Sequence, residues 1–298
     1  MGKKHTIIAA IPALDKEETI AKIVIKSMMH VDRVIVCDDG SRDMTGEIAE
    51  KLGAEVIRHE RNLGYGAALA SLFERTREIG ADVLVILDAD AQHNPEDIPR
   101  LVKPVLDDEA DIVVGSRLLG EGGKEVPKGR RFGIKAITRL VDAASYKELT
   151  DAQSGFRAYS RKAIMLITPT EQGMGVSTEI LLKAKEKGLR IKEIPIKVNY
   201  DVEKPSTLNP LYHGLDVVLS TLKHISIRRP LLFYGVPGII ALLTAIVFWV
   251  WTFQIFAATR QVATNMALVA IAATIVGLML LTTAVILWVL VSVISARD

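Results

Sequence analysis

Between Leu231 and Ala296 the chain runs for 66 residues with one charged side chain, Arg260. A helix that is apolar all round must be buried in a large core or in a membrane. Two uncharged runs make up the stretch, 28 residues from 231 to 258 and 29 from 266 to 294. About 20 apolar residues cross the hydrocarbon core of a bilayer, so each run can span it with some tilt. The short polar link Thr259–Asn265 makes an antiparallel transmembrane hairpin the expected arrangement. Trp249 and Trp251 fall late in the first run and Trp288 late in the second, which places them toward opposite interfaces. Pro237 falls in the first turns of its helix, where it disturbs least. Ala273 and Gly277 form a small-xxx-small pair, which would let helices approach closely and offers a route to a homo-oligomer through the membrane helices. Lys223, Arg228 and Arg229 precede the first run and Arg297 follows the second, so the preceding domain is expected in the cytoplasm.

The other charges crowd into the first 230 residues, 35 Lys and Arg against 34 Asp and Glu. That near-balance supplies no basic field, and no nucleic-acid partner is expected. The single Cys37 cannot form an internal disulfide, which fits a reducing compartment. The N-terminal apolar run meets charges just after Leu14 and reads as a strand rather than a signal peptide.

Short apolar runs alternate with amphipathic stretches. Strands are expected at Thr6–Ile11, Arg33–Cys37, Ala54–Arg58, Val83–Leu87 and Ile112–Gly115. Helices are expected at Glu17–Met29, near Thr45–Leu52, at Tyr65–Ile79 and at Pro95–Leu106. The alternation predicts an α/β domain with a parallel sheet and helices on both faces. In such sheets ligands bind beyond the carboxyl ends of the strands. Those ends read Pro12-Ala-Leu-Asp15, Asp38-Asp-Gly-Ser41, Asp88-Ala-Asp-Ala-Gln-His93 and Gly115-Ser-Arg117. No Gly-x-Gly-x-x-Gly and no P-loop lysine follows the first strand, so dinucleotide and P-loop readings fail. Clustered carboxylates suit a hard divalent cation, Mg²⁺ or Mn²⁺, of the kind that bridges a diphosphate. Asp90 is the leading ligand with Asp88 and Gln92 beside it, all on one side if the segment is extended.

Four motifs occur in order: Val36-Cys-Asp-Asp-Gly-Ser-Arg-Asp43 with Thr45, Asp88–His93, Gly115–Arg117, and Asp151-Ala-Gln-Ser-Gly-Phe-Arg157. Together they resemble a family 2 glycosyltransferase with the GT-A (Rossmann-like) fold. Within that family the chain is most similar to the polyprenyl-phosphate branch, which includes dolichyl-phosphate mannose and glucose synthases. One departure is Asp15-Lys16, where the family usually has Asn-Glu.

The resemblance implies that a nucleoside-diphosphate sugar donates one hexose to dolichyl or another polyprenyl phosphate, with inversion at C1. It implies that Asp39 contacts the nucleobase, flanked by Pro12 and Leu14, with Asp38 either sharing that contact or capping the turn. It implies an acceptor-phosphate set of Arg117, Arg130 or Arg131, Gln153, Ser154 and Arg157, with the last three and Asp151 beside the reacting centre. Arg117 lies on the ligand side, where a guanidinium suits a bidentate phosphate contact. The catalytic set is therefore Asp90, Arg117 and Asp151. An acceptor phosphate is already ionised near neutral pH, so Asp151 is expected to position rather than to act as a base. His93 is read as the cap of the next helix and Glu179 as structural.

The expected organisation is a catalytic domain over 1–204, interfacial helices over 205–230 and the hairpin over 231–298. Leu215, Val218, Leu219 and Leu222 share one helical face and suit a helix lying on the bilayer. The expected location is the cell membrane of a prokaryote, an archaeon. A processive polysaccharide synthase usually carries Gln-x-x-Arg-Trp, and no Trp precedes Trp249. A non-catalytic membrane scaffold is disfavoured by the intact Asp88, Asp90 and Arg117, and a nucleotide-sugar dehydrogenase by the missing glycine fingerprint.

Overall fold

The structure is a computed structural model and describes residues 5–119, 149–198, 226 and 230–295, with side chains as far as 291. The chain divides into two compact units, Met1–Thr221 and Leu222–Asp298.

The first unit is built on a seven-stranded sheet in the order β3-β2-β1-β4-β6-β5-β7. The strands are β1 (Ile7–Ala13), β2 (Arg33–Asp38), β3 (Glu55–Arg58), β4 (Val83–Ile86), β5 (Ile112–Ser116), β6 (Arg157–Ser160) and β7 (Ile191–Pro195). Helices α1 (Glu17–Met28), α2 (Thr45–Lys51), α3 (Tyr65–Ile79), α4 (Ile98–Leu106), α5 (Arg161–Leu166) and α6 (Val176–Glu186) connect them. Central strands are apolar without alternation because both faces are covered. Ile8 and Ala10 of β1 pack into one core with Leu69, Leu72 and Phe73 of α3. Ala9, Ile11 and Ala13 point the other way, into a second core with Ile20 and Ile23 of α1 and Leu101 of α4.

The expected all-parallel sheet is corrected in one place. β6 runs antiparallel between β4 and β5, pairing Ile86 with Arg157 and Val114 with Arg157. It is four residues long and reads Arg-Ala-Tyr-Ser, so it has no apolar run to announce it. Its direction matters for the site. Because β6 enters where the parallel strands leave, residues 151–156 reach the edge that also carries Asp38, Asp88 and Arg117.

The second unit contains two long helices. A π-helical turn, Leu231–Gly235, leads into α7 (Val236–Thr259), and α8 covers Thr264–Ser295. Both are long and apolar enough to cross a membrane. Their threonines bond within the helix, as Thr252 does to the Phe248 carbonyl and Thr274 to that of Ala270, which keeps hydroxyls off the lipid. Trp249 is tied into the hairpin: its Nε1–H donates to Thr274 Oγ1 of the other helix at 3.2 Å. Trp251 and Trp288 are half exposed on its outer surface.

Gly277 is used inside the hairpin. A Cβ there would stand 2.7 Å from Leu242 Cδ2 and 3.1 Å from the Gly238 carbonyl. Gly277→Leu is expected to lower hairpin stability by about 1–3 kcal/mol through overpacking. Steric-trap unfolding in bicelles would measure it, and an unchanged value would refute the contact.

Candidate active site

The acidic turn after β4 is where the chain departs from extended geometry. Ala91 takes a left-handed φ of 58°, and Asp90 Oδ1 accepts the Gln92 N–H at 3.0 Å. The expected one-sided array of Asp88, Asp90 and Gln92 is therefore a tight turn, closed by the aspartate's own side chain. Asp88 points toward Gly155, where a Cβ would stand 2.6 Å from Oδ2 and 2.8 Å from Oδ1. Only glycine leaves that carboxylate its place. Tyr65, at the start of α3, donates its hydroxyl to Asp88 Oδ1 at 3.0 Å. Burial and the nearby Asp88 hold the Tyr65 phenol well above its usual range.

Burial, and then the charge of Asp88, push the Asp90 carboxyl above the usual carboxylate range. His93 does not cap the following helical turn; Asn94 does, accepting the Glu96 N–H. His93 is instead buried and stacked on Phe156 at 5.2 Å, and its Nδ1 has no hydrogen-bond partner among the described residues. Burial lowers its pKa to about 4, so at neutral pH it is uncharged and its 3.7 Å approach to Asp88 is not an ion pair. The imidazole also feels the charges of Asp90, Arg117 and Asp151, so the acidic turn and the ion pair described next are electrostatic neighbours.

Arg117 leaves β5 and grips Asp151. Its Nε donates to Oδ2 at 2.6 Å, its Nη2 to Oδ1 at 2.7 Å and its backbone N–H to Oδ2 at 3.1 Å. Asp151 has no exposed surface. Burial alone would raise its pKa, but the Arg117 charge and hydrogen bonds outweigh it and hold the carboxyl below the usual range. The guanidinium expected to face a phosphate thus spends its fork on Asp151.

Arg157 is corrected more fully. It is 2% exposed, and it donates to the carbonyls of Ser154, Ser177 and Ala152 at 2.7–2.8 Å. Those bonds hold the turn into β6, so Arg157 leaves the acceptor-phosphate set. Ser154 is fully buried and its Oγ accepts the Phe156 N–H. Gln153 is half-buried on the same turn. Arg130 and Arg131 lie outside the described residues, as does most of 205–230.

On the other side of β1 a cavity of about 610 Å³ is lined by Leu14, Asp38, Gly40, Arg58, His59 and Asn62, among others. Asp38 Oδ1 accepts the Ser41 N–H at 2.9 Å. Pro12 is a β1 residue paired with Cys37, beyond the stretch that β4 pairs, where its missing N–H breaks no ladder. Asp39 turns toward the loop after β3. It accepts the N–H groups of Leu63 and Gly64 at 2.9 and 2.8 Å and bonds His59 Nδ1 at 2.6 Å. His59 Nε2 lies 2.9 Å from Ser71 Oγ. Of the four residues expected at the nucleotide, the cavity gathers Leu14 and Asp38.

Sequence reasoning missed His59, Tyr65 and Glu193. The first two follow β3, whose carboxyl end lies at the same edge as that of the parallel β2. Glu193 gave no signal, because it sits inside a strand. Glu179 is structural: it accepts the N–H groups of Thr170 and Glu171 and pairs with Lys183 at 2.7 Å.

Two carboxylates at a sheet edge, one destabilised by the other, suit a cation. Among the described residues no three His, Cys, Asp or Glu side chains converge as a complete cage. Mg²⁺ and similar ions need no such cage, since one or two carboxylates plus substrate phosphates suffice.

The model of the family described as glycosyl transferase family 2 matches residues 9–167. The UDP-N-acetylglucosamine–dolichyl-phosphate N-acetylglucosaminyltransferase of Methanococcus voltae is 33% identical over 215 residues, which cover 65% of this chain and 86% of that one. The dolichyl-phosphate hexose transferase of Haloferax volcanii is 33% identical over 189 residues, 61% of this chain and 78% of that one. The solved structure of glucosyl-3-phosphoglycerate synthase from Mycobacterium tuberculosis with Mn²⁺ and UDP-glucose superposes with a TM-score of 0.59 at 27% identity. That match covers 74% of this chain and 78% of the other.

Proposed function

The chain belongs to glycosyl transferase family 2, and on that premise we propose that it moves one hexosyl residue from a nucleoside-diphosphate sugar to a polyprenyl phosphate such as dolichyl phosphate. The carrying observation is the Asp88–Asp90 turn at the sheet's ligand edge, in a chain that also has two helices apolar enough to span a membrane. The Methanococcus and Haloferax relatives, both named for dolichyl phosphate, support the acceptor class.

An oxygen of the acceptor phosphate attacks C1 of the sugar, the C1–O bond to the diphosphate breaks, and the nucleoside diphosphate leaves with that electron pair. One displacement inverts the anomeric centre. The phosphate needs no deprotonation near neutral pH. Asp151, held ionised by Arg117 and fully buried, is a poor base and serves to position. Leu14 and Asp38 line the space for the nucleoside. A bound Mg²⁺ or Mn²⁺, held by Asp88 and Asp90 with Gln92 beside them, would neutralise charge on the leaving diphosphate. Orientation and charge neutralisation supply the rate. The apolar helices keep the domain at a bilayer, on the cytoplasmic side of an archaeal cell membrane in this reading, where a polyprenyl chain must stay.

The test is to give the detergent-purified protein Mn²⁺, dolichyl phosphate and a panel of labelled UDP-glucose, UDP-N-acetylglucosamine and GDP-mannose. Label is expected in the lipid phase from one donor as a single-sugar product. Transfer only to 3-phosphoglycerate, a polymeric product, or no transfer from any donor would overturn the reading.

A further inference from the structure

The Arg117–Asp151 pair is held from behind by Glu193, which meets that edge through Thr150 and the backbone of Asp151. Glu193 lies in β7, the edge strand, in register with Val114 of β5. Its carboxylate is half-buried and takes three donors. Oε2 accepts the Thr150 N–H at 2.9 Å and the Thr150 hydroxyl at 3.0 Å, and Oε1 accepts the Asp151 N–H at 3.0 Å. A carboxylate only accepts, so Thr150 donates to it and in turn accepts from Ser116 Oγ at 2.6 Å. Ser116 Oγ accepts the Leu118 N–H at 3.2 Å. One carboxylate thus ties β7 to residues on both sides of Arg117 and to the backbone of Asp151.

This connectivity has a direction. Asp151 presents its carboxylate to Arg117 only while its own backbone is fixed, and the group fixing that backbone is Glu193. Removing it would orphan two N–H groups and a hydroxyl, and the local backbone would turn to find water. We propose that Glu193 is a positioning residue for sugar transfer: it sets the Arg117–Asp151 pair at the reacting edge through the backbone of Thr150 and Asp151. The inference rests on the proposed function for what happens at that edge, and on geometry alone for the linkage.

The experiment compares full-length wild type with E193A, E193Q, D151A and E193A/D151A. E193A is expected to lower kcat by about 10- to 100-fold, as loss of a supporting hydrogen-bond partner does. The KM for donor sugar and the affinity for Mn²⁺-UDP are expected to stay within about twofold, since Glu193 is remote from the Asp38 cavity. E193Q, whose amide oxygen still accepts, is expected to recover most of the loss. In the D151A background E193A should cost nothing further, because residues acting through one group are not additive. Wild-type kcat in E193A, or additive losses in the double variant, would overturn the proposal. A wild type inactive on every lipid phosphate would instead overturn the proposed function. Amide exchange over Leu149–Phe156 then decides on Glu193: faster exchange in E193A supports the linkage, and unchanged exchange defeats it.

Discussion

Asp90→Ala is expected to reduce sugar transfer by at least about a thousandfold and to abolish the Mn²⁺ dependence of nucleotide binding. Asp90 has two tasks. Its Oδ1 closes the turn on the Gln92 N–H, and its charge stands against that of Asp88 in a half-buried place. The second task gives the large effect, because a cation there would make two adjacent carboxylates tolerable and would offset charge on the leaving group. Asp90→Asn separates the tasks. Its amide oxygen still accepts the Gln92 N–H, so the turn is kept, yet half of the paired charge is gone. The asparagine variant should fold with the wild-type circular dichroism and melt, and still lose most of the transfer. Full activity in either variant at saturating Mn²⁺ would end the cation assignment.

Arg117→Ala should be the most destabilising single change at the site, by about 3–5 kcal/mol, the usual cost of stranding a buried charge. Asp151 has no exposed surface, and the arginine provides three of its hydrogen bonds. Removing both partners relieves the problem, so R117A/D151A should be more stable than R117A while remaining inactive. The pH dependence follows from the sign of the shift. Asp151 is held below its usual value in the fold, so its contribution is fully present above the ordinary aspartate range near pH 4. It is lost as pH falls through the lowered folded value. The stability gap between wild type and R117A should therefore narrow on acidification. Chemical unfolding of the two proteins between about pH 5 and pH 2 would show it, and a constant gap over that range would refute the pair's part in stability.

How much of this was readable in advance depended on what each element needs from its neighbours. The strands β1, β2, β4 and β5 are covered on both faces, and that demand writes an apolar run into local sequence. Their carboxyl ends were legible for the same reason, because Asp38, Asp88 and Arg117 interrupt those runs abruptly. β6 was not legible. Its arginine is tolerated inside the sheet only because three carbonyls from other segments satisfy it. The same logic removed Arg157 from the phosphate set: a motif arginine looks alike in sequence whether its donors face a ligand or the backbone. Asp38 and Asp39 are adjacent, and only the path of the loop after β3 gives Asp39 to Leu63, Gly64 and His59 and leaves Asp38 beside the cavity.

By itself the sequence determined the two membrane-length helices and the collection of acids at strand ends. These depend on hydropathy and periodicity, which are properties of consecutive residues. Tertiary structure decided partnership: Arg117 with Asp151, Gly277 against Gly238 and Leu242, Glu193 behind Thr150. Hydrogen bonds and ion pairs act over about 3 Å between residues far apart in the chain, and no local pattern encodes which distant group will arrive at that distance.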